Sequence, residues 1–119
     1  MTNLEKQRII QELVPGKQIT LAHIIANPDE ILYKKLGLDP SVEYSKSAIG
    51  ILTVSPAETA IIAGDISIKA SGAQLGFVDR FSGTVILTGT FSEVEASLKA
   101  VLEYAEGVLG FTVCKLTKT

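Results

Sequence analysis

A chain of 119 residues has the length of one domain and can bury roughly two-thirds of the surface its unfolded form exposes. Hydrophobic residues make up 46% and charged residues 20%, yet no apolar run approaches the ~20 residues of a membrane span, so the surplus apolar surface points to oligomerisation. Thirteen acidic and eleven basic residues, a net charge of −2 without long blocks of either sign, exclude nucleic acid as an expected partner.

In chain order, RIIQELVPGKQITLAH, Arg8 to His23, comes first and reads as two apolar-rich arms meeting at Pro15-Gly16-Lys17, a β-hairpin whose first arm has no evident partner in the domain. The start of the chain lacks the apolar core and cleavage site of a signal peptide, and the lone Cys114 excludes an intrachain disulfide. A reducing cytoplasm is the expected setting. Three stretches carry a capping residue followed three positions later by glutamate: Asn27-Pro28-Asp29-Glu30, Ser55-Pro56-Ala57-Glu58 and Ser92-Glu93-Val94-Glu95. In the first two, proline occupies the first helical position.

The first helix is expected from Pro28 to about Leu36, with Ile31, Leu32 and Leu36 inward and Gly37 as its stop. The second places Ala57, Ala60, Ile61, Gly64 and Ile68 on one stripe and stops at Ser71-Gly72. The third carries Val94, Leu98, Val101, Leu102, Ala105, Val108 and Leu109, ending near Gly110. Strands are expected at Ala48 to Val54, Gln74 to Asp79, Thr84 to Thr90 and Phe111 to Leu116. From Ala48 onward the order is β-α-β-β-α-β, the split βαβ or ferredoxin-like arrangement, α+β, with an antiparallel sheet carrying both helices on one face. Asp39 to Ser47 reads as a polar connection.

Candidate sites are few. Asp79-Arg80-Phe81-Ser82-Gly83 joins two strands, and Arg80 there could hold an anionic or polar ligand; a solvated loop relieved by Gly83 is the plainer reading. Alternation puts His23 on a face with Ile19, Leu21 and Ile25, where no acid or nucleophile is in evident reach, so a packed or interfacial histidine is expected. Cys114, between Thr112 and Leu116, is expected to be a buried, inert thiol. Asp65 and Lys69, one turn apart, form an ordinary helix-surface ion pair unless Lys69 projects from an edge. No glycine-rich phosphate loop, zinc spacing or aromatic RNA-binding signature is present, and no nucleophile, base and orienting group can be placed together. No enzymatic activity, cofactor or metal is therefore expected. The residues alone give an oligomeric α+β domain, with a small-molecule-binding regulatory domain as the competing class.

From Arg8 to the C-terminus, the segments VPGKQITLAH, AIGILT, the Pro56 to Asp65 stretch, GFVDRFSG and FTVCKLTKT occur in an order and spacing that resembles the shell-protein domain of bacterial microcompartments. The likeness is specifically to the circularly permuted members of propanediol- and ethanolamine-utilisation compartments. The resemblance implies a cyclic hexamer that tiles edge to edge with itself and other shell proteins, without cofactor, nucleic acid or membrane. It implies a division into residues 1–16, an extension carrying a barrel strand, and residues 17–119, the permuted domain. In this family, the N-terminal strands of six subunits close a small parallel β-barrel over the axis. Ile9, Ile10, Gln11, Glu12, Leu13 and Val14 would supply that strand, making Pro15-Gly16 a junction instead of a hairpin turn. Lys69, with Asp65, would stand at the contact between hexamers, and Asp79, Arg80, Phe81, Ser82 and Gly83 would surround the axis. The cap would restrict free metabolite passage along the axis, or the capped end would serve instead as a docking surface for an encapsulated or peripheral protein.

Overall fold

The computed structural model describes residues 16–39, 41, 44 and 47–119. Strand β1, Gln18–Ile25, leads into a short helix α1, Glu30–Lys35, then strand β2, Ala48–Ser55, and helix α2, Thr59–Ala70. A hairpin of β3, Gln74–Asp79, and β4, Thr84–Gly89, precedes helix α3, Phe91–Gly107, and the chain ends in two short strands, β5, Thr112–Val113, and β6, Thr117–Lys118. The sheet order is β3-β4-β2-β1-β5, with β6 also pairing β1.

The β-α-β-β-α-β order expected from Ala48 onward is present, but its last strand does not close on its first. Strand β1 lies between β2 and β5 and pairs antiparallel with β2 along its length. Its contacts to β5 and β6 are parallel, so the sheet is mixed and not wholly antiparallel. The second arm of the expected hairpin thus finds its partner in β2, from Gln18 opposite Ser55 to Ile25 opposite Ile49. The first arm, with the barrel residues Ile9 to Val14, lies outside the described residues.

Side chains alternate across the sheet as the pleat requires. Ala48, Leu52 and Val54 of β2, Val85 and Leu87 of β4, and Ala22 and Ile24 of β1 pack against α2 and α3, where they meet Ala60, Ala63, Val94, Leu98, Val101 and Ala105. The opposite face holds a smaller cluster in which Ile49 and Ile86 meet Tyr33 and Leu38 beneath α1. Tyr33 stacks on Tyr44 with ring centroids 5.3 Å apart and donates its hydroxyl to the Ser47 carbonyl, satisfying its polar end. Gly50 is a point of close approach: a Cβ there would lie 2.5 Å from Val94 Cγ1, so α3 sits on β2 at backbone distance.

Each helix start differs from its expected residue. Helix α1 is capped by Asp29, whose side chain accepts from the Ile31 amide at 3.1 Å, and not by Asn27. Helix α2 begins only at Thr59, because Ser55 still belongs to β2; Glu58 precedes it without a side-chain cap. Helix α3 starts two residues earlier than expected, on a reciprocal box in which Thr90 Oγ1 accepts from the Glu93 amide at 3.2 Å and Glu93 accepts from the Thr90 amide at 2.9 Å. Thr90-Phe91-Ser92-Glu93 carries the same S/T-x-x-E pattern as Ser92 to Glu95, and the strand end fixes which is used.

The expected faces of four elements are also corrected. In α1 the buried side chain is Tyr33, while Ile31 and Leu36 are exposed. In α2 the buried face is Thr59, Ala60, Ala63, Gly64 and Ser67, leaving Ile61 and Ile68 outside. A bulge between Ile19 and Leu21 turns Ile19 into the helix-side core, away from the face of Leu21 and His23. In α3, Val108 lies beyond the helix end and is exposed. The expected last strand, Phe111 to Leu116, is instead the pair β5 and β6.

Candidate functional site

Two surfaces gather the residues singled out in the sequence. The first is the outer face of α2. With Ala60, Ala63, Gly64 and Ser67 turned inward and Ile66 packed partly against the core, three bulky side chains of the helix point to solvent: Ile61 is 55% exposed, Ile62 47% and Ile68 46%. Asp65 and Lys69 share that face, Lys69 Nζ lying 2.8 Å from Asp65 Oδ2 with both side chains largely in solvent. An exposed pair at this spacing contributes a few tenths of a kcal/mol to the helix, roughly 0.3–0.5. Its stabilising effect does not account for three neighbouring isoleucines in water.

Strand β3 extends the same pattern. It is an outer strand of the sheet, and Leu75 and Phe77 are exposed on it. Sequence periodicity missed both features. The signal that finds the α2 face is the run of small residues at positions 60, 63, 64 and 67, whose spacing marks a buried stripe more faithfully than hydrophobicity does.

The second surface is the loop Asp79 to Gly83 between β3 and β4. Asp79 is consumed by the loop itself: Oδ1 accepts from the Phe81 amide at 2.8 Å and Oδ2 from the Ser82 hydroxyl at 2.7 Å. The Phe81 amide, and then the Ser82 hydroxyl, hold its carboxyl below the usual carboxylate range. Gly83 closes the turn with its amide on the Asp79 carbonyl at 2.9 Å and its carbonyl on the Val54 amide at 2.9 Å. Its φ is +77°, and a Cβ would lie 2.2 Å from the Val54 oxygen, so only glycine fits. Arg80 and Phe81 are left outside, the guanidinium carbon 4.9 Å from the ring centroid and Phe81 81% exposed. Among the described residues Arg80 has no carboxylate partner within ion-pair distance.

His23 is bound at both ring nitrogens, Nδ1 to Thr117 Oγ1 at 2.6 Å and Nε2 to Thr119 Oγ1 at 2.8 Å. It fastens β1 to the C-terminal strand. Cys114 is half-buried against the main core and its amide donates to the Ile19 carbonyl at 3.1 Å. On α3, Glu95 is held below its ordinary range by its hydrogen bond to Lys118, and Lys118 also lies 5.2 Å from the Phe91 ring centroid. Among the described residues no group of three or more His, Cys, Asp and Glu side chains is placed to hold a metal. No helix among them is long and apolar enough to cross a membrane.

A family model described as the BMC domain matches residues 48–117. The chain is 54% identical over 112 residues to the bacterial microcompartment shell protein PduU of Salmonella typhimurium strain LT2, covering 94% of this chain and 93% of that one. It is 49% identical over 116 residues to the shell protein EutS of the same organism, at 98% and 100% coverage, and 52% identical over 112 residues to the shell protein CutR of Streptococcus intermedius, at 94% and 92%. Among solved structures it is similar to a CutR flat hexamer, with TM-score 0.81 at 49% identity, covering 89% of this chain and 94% of that chain. It is similar too to a CutR screw of 41.9 Å pitch, with TM-score 0.79 at 48% identity, covering 88% and 100%.

Proposed function

Because the chain belongs to the BMC-domain family of bacterial microcompartment shell proteins, we propose that it is a structural, non-catalytic subunit that closes into a cyclic hexamer and tiles into a shell in the bacterial cytoplasm. The observation that carries this reading is the inverted α2, a helix that gives its small residues and Ile66 to its own core and Ile61, Ile62 and Ile68 to the outside. A subunit built this way covers its apolar surface with copies of itself, through a head-to-tail interface closed by rotation. The hexameric form of the CutR relative supports closure, and its screw form supports an edge that tolerates more than one geometry. The family also weighs against the regulatory-domain alternative.

Within this reading, residues 17–119 are the permuted shell domain and residues 1–16 an extension whose strand Ile9 to Val14 joins its five symmetry mates in an axial barrel. A closed barrel gives every such strand two neighbours and leaves no edge. The barrel restricts passage along the axis, and its top is a docking surface for an encapsulated or peripheral protein. Asp65 and Lys69 stand at the contact between hexamers, and Asp79 to Gly83 surround the axis.

Native mass spectrometry and electron microscopy of the full-length protein test this reading. A six-subunit mass and extended sheets or tubes are expected, and a stable monomer or dimer overturns it. Lys69→Ala should keep the hexamer while raising the concentration needed for sheets by about three- to tenfold, the worth of roughly 1 kcal/mol per edge contact. Deleting residues 1 to 14 should keep the hexamer and open its axis; a truncated chain that does not fold assigns the segment to the core instead.

A further inference from the structure

The last turn of α2, which carries Lys69, is fastened from outside its own helix. Helix α2 ends at Ala70, so the carbonyls of its final four residues, Ser67 among them, lack intrahelical partners. Ser71 follows in extended conformation, and Gly72 is not in the left-handed region that normally closes a helix end. The carbonyl of Ser67 is taken up from the neighbouring helix, where the hydroxyl of Ser97 in α3 donates to it at 2.6 Å. Both serines are fully buried.

The turn after the helix is fastened to the same place. The Ser71 hydroxyl donates to the Glu93 carbonyl at 2.8 Å, accepts from the Ala73 amide at 3.0 Å, and lies 2.8 Å from Ser97 Oγ. Gly72 passes so close to α3 that a Cβ on it would come 2.1 Å from Glu93 Oε2. Glu93 is itself fixed by the capping box with Thr90. Two bonds therefore tie the first turns of α3 to the end of α2, Ser97 to the Ser67 carbonyl and Ser71 to the Glu93 carbonyl, on the buried side of the helix that presents Asp65 and Lys69 outward.

We propose that Ser97 is a positioning residue for assembly: acting from α3, it sets the pose of the last turn of α2 and with it the place of Lys69 on the subunit's edge. A carbonyl cap supplied across a helix pair fixes the two helices relative to each other as well as the end of one. Edge contacts repeated around a ring and across a sheet multiply a small error in that pose. The proposal rests on Lys69 being an edge residue, and it adds which buried group holds that edge in register.

A double-mutant cycle on the full-length protein tests it, with hexamer mass read by native mass spectrometry and the concentration threshold for sheets read by light scattering and electron microscopy. Ser97→Ala should preserve the hexamer and raise the threshold about three- to tenfold, as expected for one buried hydrogen bond. In the Lys69→Ala background the same change should add less than about twofold, because the contact it positions is already gone. Equal increments in both backgrounds overturn the proposal, since Ser97 then acts on general stability. If Ser97→Ala does not fold, Gly72→Ala serves, because its Cβ meets the Glu93 carboxylate and so disturbs the tie between the two helices, while its backbone needs no left-handed conformation; it should raise the threshold in the same way and lose its effect beside Lys69→Ala. An unchanged threshold for a folded Ser97→Ala and for Gly72→Ala overturns the proposal. An unchanged threshold for Lys69→Ala alone removes the edge assignment instead, which keeps the two failures apart.

Discussion

Helices α2 and α3 lie side by side on one face of the sheet and are built on opposite plans. Helix α3 turns Val94, Leu98, Val101 and Ala105 inward, starts on a reciprocal capping box and presents charge outside, as an amphipathic core helix should. Helix α2 has no side-chain cap, buries only small residues and holds Ile61, Ile62 and Ile68 in solvent. The difference separates two duties. One helix secures the subunit, and the other, brought close to the sheet by its small face, leaves an apolar surface exposed.

The contrast can be broken at its firmest point first. Leu98→Ala opens a cavity under α3 at a fully buried position and should lower folding stability by about 2–5 kcal/mol, measured by denaturant titration. Thr90→Ala removes the cap of the same helix and should cost about 1 kcal/mol, seen as a smaller shift of the same transition. Ile61→Glu on α2 should change subunit folding by no more than about 0.5 kcal/mol, while native mass spectrometry and microscopy show assembly lost. If Ile61→Glu instead destabilises as Leu98→Ala does, the two helices share one duty and the contrast fails.

Much of this was legible before any coordinates. Strand β3 falls on its expected residues, β2 and β4 within one residue at an end, and α3 carries most of its expected inward side chains. The misreadings have local physical causes. Periodicity assigns a helix's bulky residues to the core, and that assumption fails for α2 because its apolar side chains serve a surface. The bulge at Ile19 and Leu21 shifts the alternation by one residue, which a period-2 reading cannot register. The insertion of β1 between β2 and β5 is a long-range choice that no local window contains. The loop Asp79 to Gly83 is the reverse case: its residues stand out in the sequence, but the turning of Asp79 into its own loop, which leaves Arg80 without that carboxylate, needs the geometry.

That inward turn of Asp79 has a consequence for how such a subunit can change. The loop keeps its shape through Asp79, Ser82, Gly83 and the main chain of Phe81, while the Phe81 ring itself lies almost wholly in solvent. Position 81 therefore contributes an amide to the loop and a side chain to whatever surrounds it, and the two are separable. Any residue but proline can supply the amide. Evolution, or a designer, can alter what the tip offers while the scaffold beneath it stays the same.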